Sequence, residues 1–156
     1  MRVSAKADYA LRALIEIAAR TDDAPVSADE LGRAQDIPPG FLQSILADLR
    51  RADVVLSQRG MAGGWRLAKD AAEISVADVI RAVDGPIVSV YGVRPEAVVY
   101  NERVDVLQHV WVAARDALRE VFENVSIAQL AARSLPPEVT TRTGRDEAWA
   151  PGGPPR

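Results

Sequence analysis

The 156-residue sequence contains no cysteine and a single histidine, His109. Without thiols there can be no disulfide, thiolate-held zinc or iron, thiol redox switch or cysteine nucleophile. One imidazole also leaves no histidine-rich metal site and few catalytic triads. His109 stands beside Val110 and Trp111 in a helical pattern and reads as a structural residue, with a haem or metal ligand as the alternative. Aromatic residues make up only 5% of the chain, so Ala, Val and Leu carry the packing, which suits helices that meet closely. No apolar run reaches the roughly 18 residues of a membrane span. The first residues include Asp8 and lack a continuous apolar stretch, so a cytoplasmic location without membrane partners is expected. Phosphate loops, nucleophile–base pairs and metal constellations are also missing, which argues against an enzyme and against a resident cofactor.

What charge there is, is unevenly placed. The net charge is −3, an unusual sum for a nucleic-acid binder. Yet residues 1–70 are neutral, and within 50–69 Arg50, Arg51, Arg59, Arg66 and Lys69 face Asp53 alone. The excess acid lies beyond residue 70. A short basic stretch in a neutral domain fits a local contact with a polyanion.

Hydrophobic periodicity predicts a helix over residues 5–20, broken at Pro25. Ser27 and Glu30 form a capping-box pattern that opens a short helix over 28–35, burying Leu31 and Ala34. Pro38 and Pro39 force a turn. A third helix then runs to about residue 52, with Phe41, Leu42, Ile45, Leu46 and Leu49 on its inner side. Two helices joined by a tight turn make a helix-turn-helix. Residues 54–57 and 65–68 read as strands around the glycine-rich link 59–64, a hairpin placed as a wing. Ser75 caps a helix to about residue 83, and Gly85-Pro86 ends it. Residues 87–100 read as a loop. Residues 102–124 carry the longest apolar stripe, at three- and four-residue spacing. Residues 125–135 either continue that helix or add a short one after Ser126. From Pro136 onward the composition predicts a disordered tail. The expected organisation is therefore a DNA-binding domain (1–86), a connecting loop that could act as a sensor (87–101), a dimerisation helix with a short successor (102–135), and a tail (136–156). The fold class is mainly α, a winged helix-turn-helix with a long C-terminal dimerisation helix.

Four stretches, in order, carry a resemblance: Lys6 to Leu14, Phe41 to Ala52, Arg59-Gly60-Met61-Ala62-Gly63-Gly64-Trp65-Arg66-Leu67, and Ile74 to Pro86. Over roughly residues 1–135 the chain resembles the Rrf2 family of bacterial winged helix-turn-helix transcriptional regulators. The resemblance implies a homodimer paired through the long helix and a wing that reaches into a minor groove. Many members hold an iron–sulfur cluster through three cysteines in the region that is 87–106 in this sequence, and none is present here. Asp8 stands where some relatives use a carboxylate as a further ligand. Without thiolates it is an acid on a helix.

The expected contacts follow. On the third helix Gly40, Gln43 and Ser44 face away from the apolar stripe and would read base edges, Gln43 by a bidentate bond to adenine; a solvated helix face is the alternative. Arg59 would enter the minor groove, with Gly60, Gly63 and Gly64 letting the hairpin backbone approach phosphates; otherwise it is a surface arginine at a tight turn. Lys6, Tyr9, Arg50, Arg51 and Arg66 are candidate phosphate contacts, with some arginines alternatively paired to Asp48 or Asp53 and Tyr9 alternatively part-buried. Val104, Leu107, Trp111, Ala114, Leu118 and Val121 are the expected dimer interface. The expected partner is double-stranded DNA with a pseudo-palindromic operator, bound by a regulator, most simply a repressor. A small molecule or a protein could act as effector, and constitutive repression needs neither. The rival reading is a winged-helix module that binds protein rather than DNA.

Overall fold

A computed structural model describes residues 2–22 and 24–152. Helix α1 (Ala5–Ala18) begins at Ser4, whose side chain accepts the Ala7 N–H. Its small residues Ala7, Ala10 and Ala13 are buried, which lets neighbouring helices approach its axis. α2 (Ala28–Gln35) opens with the expected capping box: Ser27 N–H donates to Glu30 Oε2 at 3.0 Å and Glu30 N–H donates to Ser27 Oγ at 3.2 Å. It ends at Asp36, which takes a left-handed conformation, so the chain reverses there without a glycine. α3 (Pro39–Arg51) starts with proline at its first position, where a missing N–H costs nothing.

The wing is a two-stranded antiparallel hairpin, β1 (Val55–Gln58) and β2 (Gly64–Leu67), with Ser57 opposite Trp65. A third segment joins it. Val26 and Trp65 exchange backbone hydrogen bonds of 2.9 and 2.7 Å, tying β2 to the entry of α2. Here the glycines depart from the sequence expectation. A Cβ on Gly64 would stand 2.5 Å from the Val26 carbonyl oxygen, and one on Gly63 would stand 2.3 Å from that of Gln58. Both positions are therefore required by the chain's own backbone. Gly60, at φ +108° in open space, is the one free to approach a ligand.

α4 (Val76–Asp84) carries a second capping box, Ser75 with Asp78. After a loop comes α5 (Val106–Phe122). It starts four residues later than the apolar stripe suggests, because residues 101–105 form turns in which Asn101 Oδ1 accepts the Arg103 N–H. A third box, Ser126 with Gln129, opens α6 (Ile127–Ala131). Residues 74–76 and 125–127 pair antiparallel, with Val76 N–H on the Val125 carbonyl and Ile127 N–H on that of Ile74, each at 2.9 Å. The chain after α5 thus returns to the segment that leads into α4. Val125 and Ile127 are buried in the same core as Leu14, Leu49, Ile74 and Val79.

The expected disordered tail is corrected over much of its length. α7 (Pro137–Thr143) forms with proline at its first position and a buried Pro136 before it. Val139 packs on the main core, Arg142 pairs with Glu120 at 2.7 Å, and the exposed Trp149 donates to the Thr143 carbonyl. Residues 153–156 lie outside the described residues. No helix among the described residues is long and apolar enough to cross a membrane.

α1 separates two cores. One face joins Ala7, Ala10 and Leu14 to α3, α4 and α6, and the other joins Ala13 and Ile17 to Leu31, Ile37, Leu42 and Leu46. Each wholly buried leucine contributes about 1.5–3 kcal/mol relative to exposure. Two side chains expected inside lie outside. Ala34 is exposed at the end of α2, and Phe41 is 54% exposed. At the first turn of α3 the helix overhangs the core, and the Phe41 ring meets Tyr9 edge-on, with centroids 6.1 Å apart.

Candidate nucleic-acid interface

The outer face of α3 is open. Gly40, Gln43 and Ser44 are exposed while Leu42, Ile45, Leu46 and Leu49 fasten the opposite face, so the helix presents these three positions from a rigid base. At the wing, Arg59 and Gly60 are exposed and Met61 at the tip is fully so. Met61 is an exposed tip residue that the sequence pattern alone does not mark; its place between Gly60 and Gly63 in a forced turn is the signal that could have found it. Gly63 and Gly64 are half-buried within the fold and do not offer a free backbone.

The candidate phosphate ligands divide into two groups. Arg50, Arg59 and Arg66 are exposed and make no ion pair among the described residues. Lys6 and Arg51, by contrast, both pair with Asp48, the one buried charged residue among those described. Lys6 is only 30% exposed, and its pairing to Asp48 staples α1 to α3. Arg51 keeps a largely exposed side chain that reaches back three residues. Tyr9 is half-buried, and the Arg12 guanidinium lies 5.3 Å from its ring centroid. The Tyr9 ring also meets Phe41 edge-on, and this second contact is the one that joins α1 to α3.

α5 has no buried residue at all. Val104, Leu107 and Ala114 are exposed, as is Val110, which the three- and four-residue spacing also includes, and Val106, which it does not. Trp111, Leu118 and Val121 are half-buried, and Leu118 with Phe122 packs on the chain's own core. The stripe is therefore shared: its C-terminal half belongs partly to this chain, and its N-terminal half is uncovered. Glu123, just past α5, accepts from Arg119 at 2.9 Å and also pairs with Arg81 of α4. These two bonds hold its carboxyl down at about 2, against an ordinary 4.5. Glu30 is likewise lowered, first by the Ser27 hydroxyl of its capping box.

The Rrf2 family model, described as an iron-dependent transcriptional regulator, matches residues 3–133. The chain belongs to the Rrf2 family. An HTH-type transcriptional regulator of Mycobacterium tuberculosis is 42% identical over 139 residues, covering 89% of this chain and 86% of that one. The regulator IscR of Photorhabdus laumondii is 30% identical over 154 residues, covering 98% and 93%. The solved structure of CymR, the global cysteine regulator of Bacillus subtilis, superposes with a TM-score of 0.72 at 28% identity over 86% of this chain and 98% of that one. This Rrf2 member is thus a winged helix-turn-helix DNA-binding transcriptional regulator and not an enzyme.

The family description raises the question of iron. The loop between α4 and α5 offers Glu96, Glu102 and Asp105 but no thiolate, and Glu96 is already paired with Arg115. No group of three or more His, Cys, Asp or Glu suited to a metal ion occurs among the described residues. His109 is exposed and stands apart from any such group. This donor set does not fit an iron–sulfur cluster.

Proposed function

We propose that this protein acts as a homodimeric regulator, most simply a repressor, that reads a pseudo-palindromic operator with two copies of α3 and two wings. The observation that carries the reading is the bare outer face of α3. Gly40, Gln43 and Ser44 are all exposed on a helix whose other side is locked into the core. A helix held this way can lie in a major groove without rearrangement, and Gln43 is the side chain suited to bidentate recognition of adenine. Arg59 at the wing enters the adjacent minor groove, where negative potential is concentrated. Gly60 permits that approach, while Arg50 and Arg66 hold phosphates and fix the register. Lys6 serves the fold first, through Asp48.

Pairing of α5 with its twin supplies the dyad. A 17-residue helix with no buried residue leaves the apolar side chains of its N-terminal half uncovered by its own chain. Val104, Val106, Leu107 and Val110 form the part that a second copy would cover, with Trp111, Ala114, Leu118 and Val121 continuing it. Symmetric dimers of this kind read half-sites related by a dyad.

The experiment is a titration of the DNA upstream of the protein's own gene, at several salt concentrations and against random competitor, with wild type and Arg59→Ala. Tight, salt-sensitive, competitor-resistant binding that Arg59→Ala weakens supports the reading. Equal affinity of both proteins for specific and random DNA would remove minor-groove insertion. Failure with a random-sequence pool as well would favour the protein-binding module.

A further inference from the structure

The cleft between α4, the loop after it and α5 has an unusual lining. Arg81 comes from α4, Arg94 from the loop, and Arg115 and Arg119 from successive turns of α5, over a floor of Gly85, Pro86, Ile87 and Val88. Glu96 is the one acid in the lining, and the cavity measures about 500 Å³. Three of the four guanidinium groups have carboxylate partners and one has none among the described residues. Arg115 pairs with Glu96, and Arg81 and Arg119 share Glu123. Asp78 stands 3.8 Å from Arg81 at the far edge, and Asp116 lies near Arg119. Arg94 makes no ion pair among the described residues.

We propose that this cleft binds a small oxyanion carrying at least two negative charges, of the carboxylate, phosphate or sulfate class. Guanidinium groups present planar forks that match such oxygens, and their hydrogen bonds to anions are the strong kind. Gathering four of them around one concavity costs mutual repulsion, which Glu96, Glu123 and Asp78 offset at Arg115, Arg119 and Arg81 and which no described carboxylate offsets at Arg94. An anion would engage the unpaired Arg94 and compete with Glu96 for Arg115. The cavity volume lies within the range of small-ligand sites. Glu96 also gives the site a latch. Its carboxyl is held below the ordinary value, first by its own backbone amide and then by Arg115, and Gln108 of α5 donates to the Pro95 and Val98 carbonyls on either side of it. Releasing Glu96 therefore removes one tie between the loop and α5 and leaves the two from Gln108. The site touches both α4, which packs on α1 and α3, and α5, so its occupant bears on the geometry between the two halves of the protein.

The test needs no DNA, so its result is separate from that of the DNA-binding reading. Purified full-length protein is titrated calorimetrically with inorganic phosphate and with citrate, at constant ionic strength set with potassium chloride. The expected result is saturable binding at one site per chain, weakened about tenfold or more by Arg94→Gln and by Arg115→Gln and largely kept by Arg94→Lys. Circular dichroism verifies that each variant is folded. No saturable heat with either anion would overturn the proposal. So would equal binding by both glutamine variants, which would place the anion elsewhere. Loss of dimer by Arg94→Gln with anion binding intact would reassign the arginines to a subunit contact and overturn it as well.

Discussion

Gly64 of β2 and Val26 ahead of α2 pack backbone to backbone, with only 2.5 Å between the Val26 carbonyl oxygen and the place a Cβ on Gly64 would occupy. Two hydrogen bonds between Trp65 and Val26 close the contact. Wing and helix-turn-helix are thereby fixed to each other. Replacing Gly64 with Ala is expected to destabilise the fold by about 1–3 kcal/mol, through displacement of backbone rather than of a flexible side chain. Gly60→Ala should cost less in packing, since nothing lies within 4 Å of its Cβ position. Denaturant unfolding of both variants checks the order. Equal stability of Gly64→Ala and wild type would contradict the contact.

The pairing of Lys6 with Asp48 separates two kinds of basic residue. Lys6→Ala is expected to lower thermal stability, because it leaves a buried carboxylate with only the exposed Arg51. It should change the salt dependence of DNA binding little. Arg50→Ala and Arg66→Ala should do the reverse. Each should leave the melting temperature near wild type and flatten the plot of log K against log salt by about one unit for every phosphate that is no longer neutralised. Affinities measured from low to moderate salt, beside melting curves, give both readouts.

Much of this architecture is legible in the sequence where its cause is local. The box of Ser27 and Glu30, the Pro38-Pro39 turn and the glycines of the wing each act within a few residues, and α2, α3 and the hairpin lie where they direct. The outer positions of α3 follow from the same periodicity. Contacts between distant segments are not legible. Lys6 meets Asp48 42 residues away, Gly64 is required by Val26, and the arginine cleft joins positions from 81 to 119. Phe41 has the spacing of a core residue, but the first turn of α3 projects past the core. The helix at Pro137–Thr143 is hidden by composition, since proline breaks a helix interior yet suits its first position.

Dimerisation through α5 predicts that Leu107→Glu and Val110→Glu, both at positions exposed in the single chain, leave the monomer folded. They should shift the mass in solution from two chains to one. DNA affinity should fall about tenfold or more as the two half-sites are no longer engaged together. Light scattering coupled to size-exclusion chromatography reads the first effect. A variant that remains dimeric would move the interface elsewhere.

Glu123 gives a pH signature. Its folded carboxyl sits at about 2, below the ordinary 4.5, because Arg119 and Arg81 favour the ionised form. A lowered folded value means the contribution is complete above about pH 4.5 and fades as pH falls toward 2. Wild type should therefore melt above Glu123→Gln at pH 7, with the gap closing through that acid window. A gap that is constant from pH 7 to pH 2 would show that charge pairing is not its source.

The central claim is sequence-specific reading of DNA by α3 and the wing, and selection from a random double-stranded pool tests it most directly. Wild type is expected to enrich an inverted repeat with two equivalent half-sites. Gln43→Ala should relax the preference at one position in each half-site and preserve the spacing. A pool that shows no enriched sequence with wild-type protein would contradict the claim, and an enriched motif unchanged by Gln43→Ala would take that side chain out of the readout.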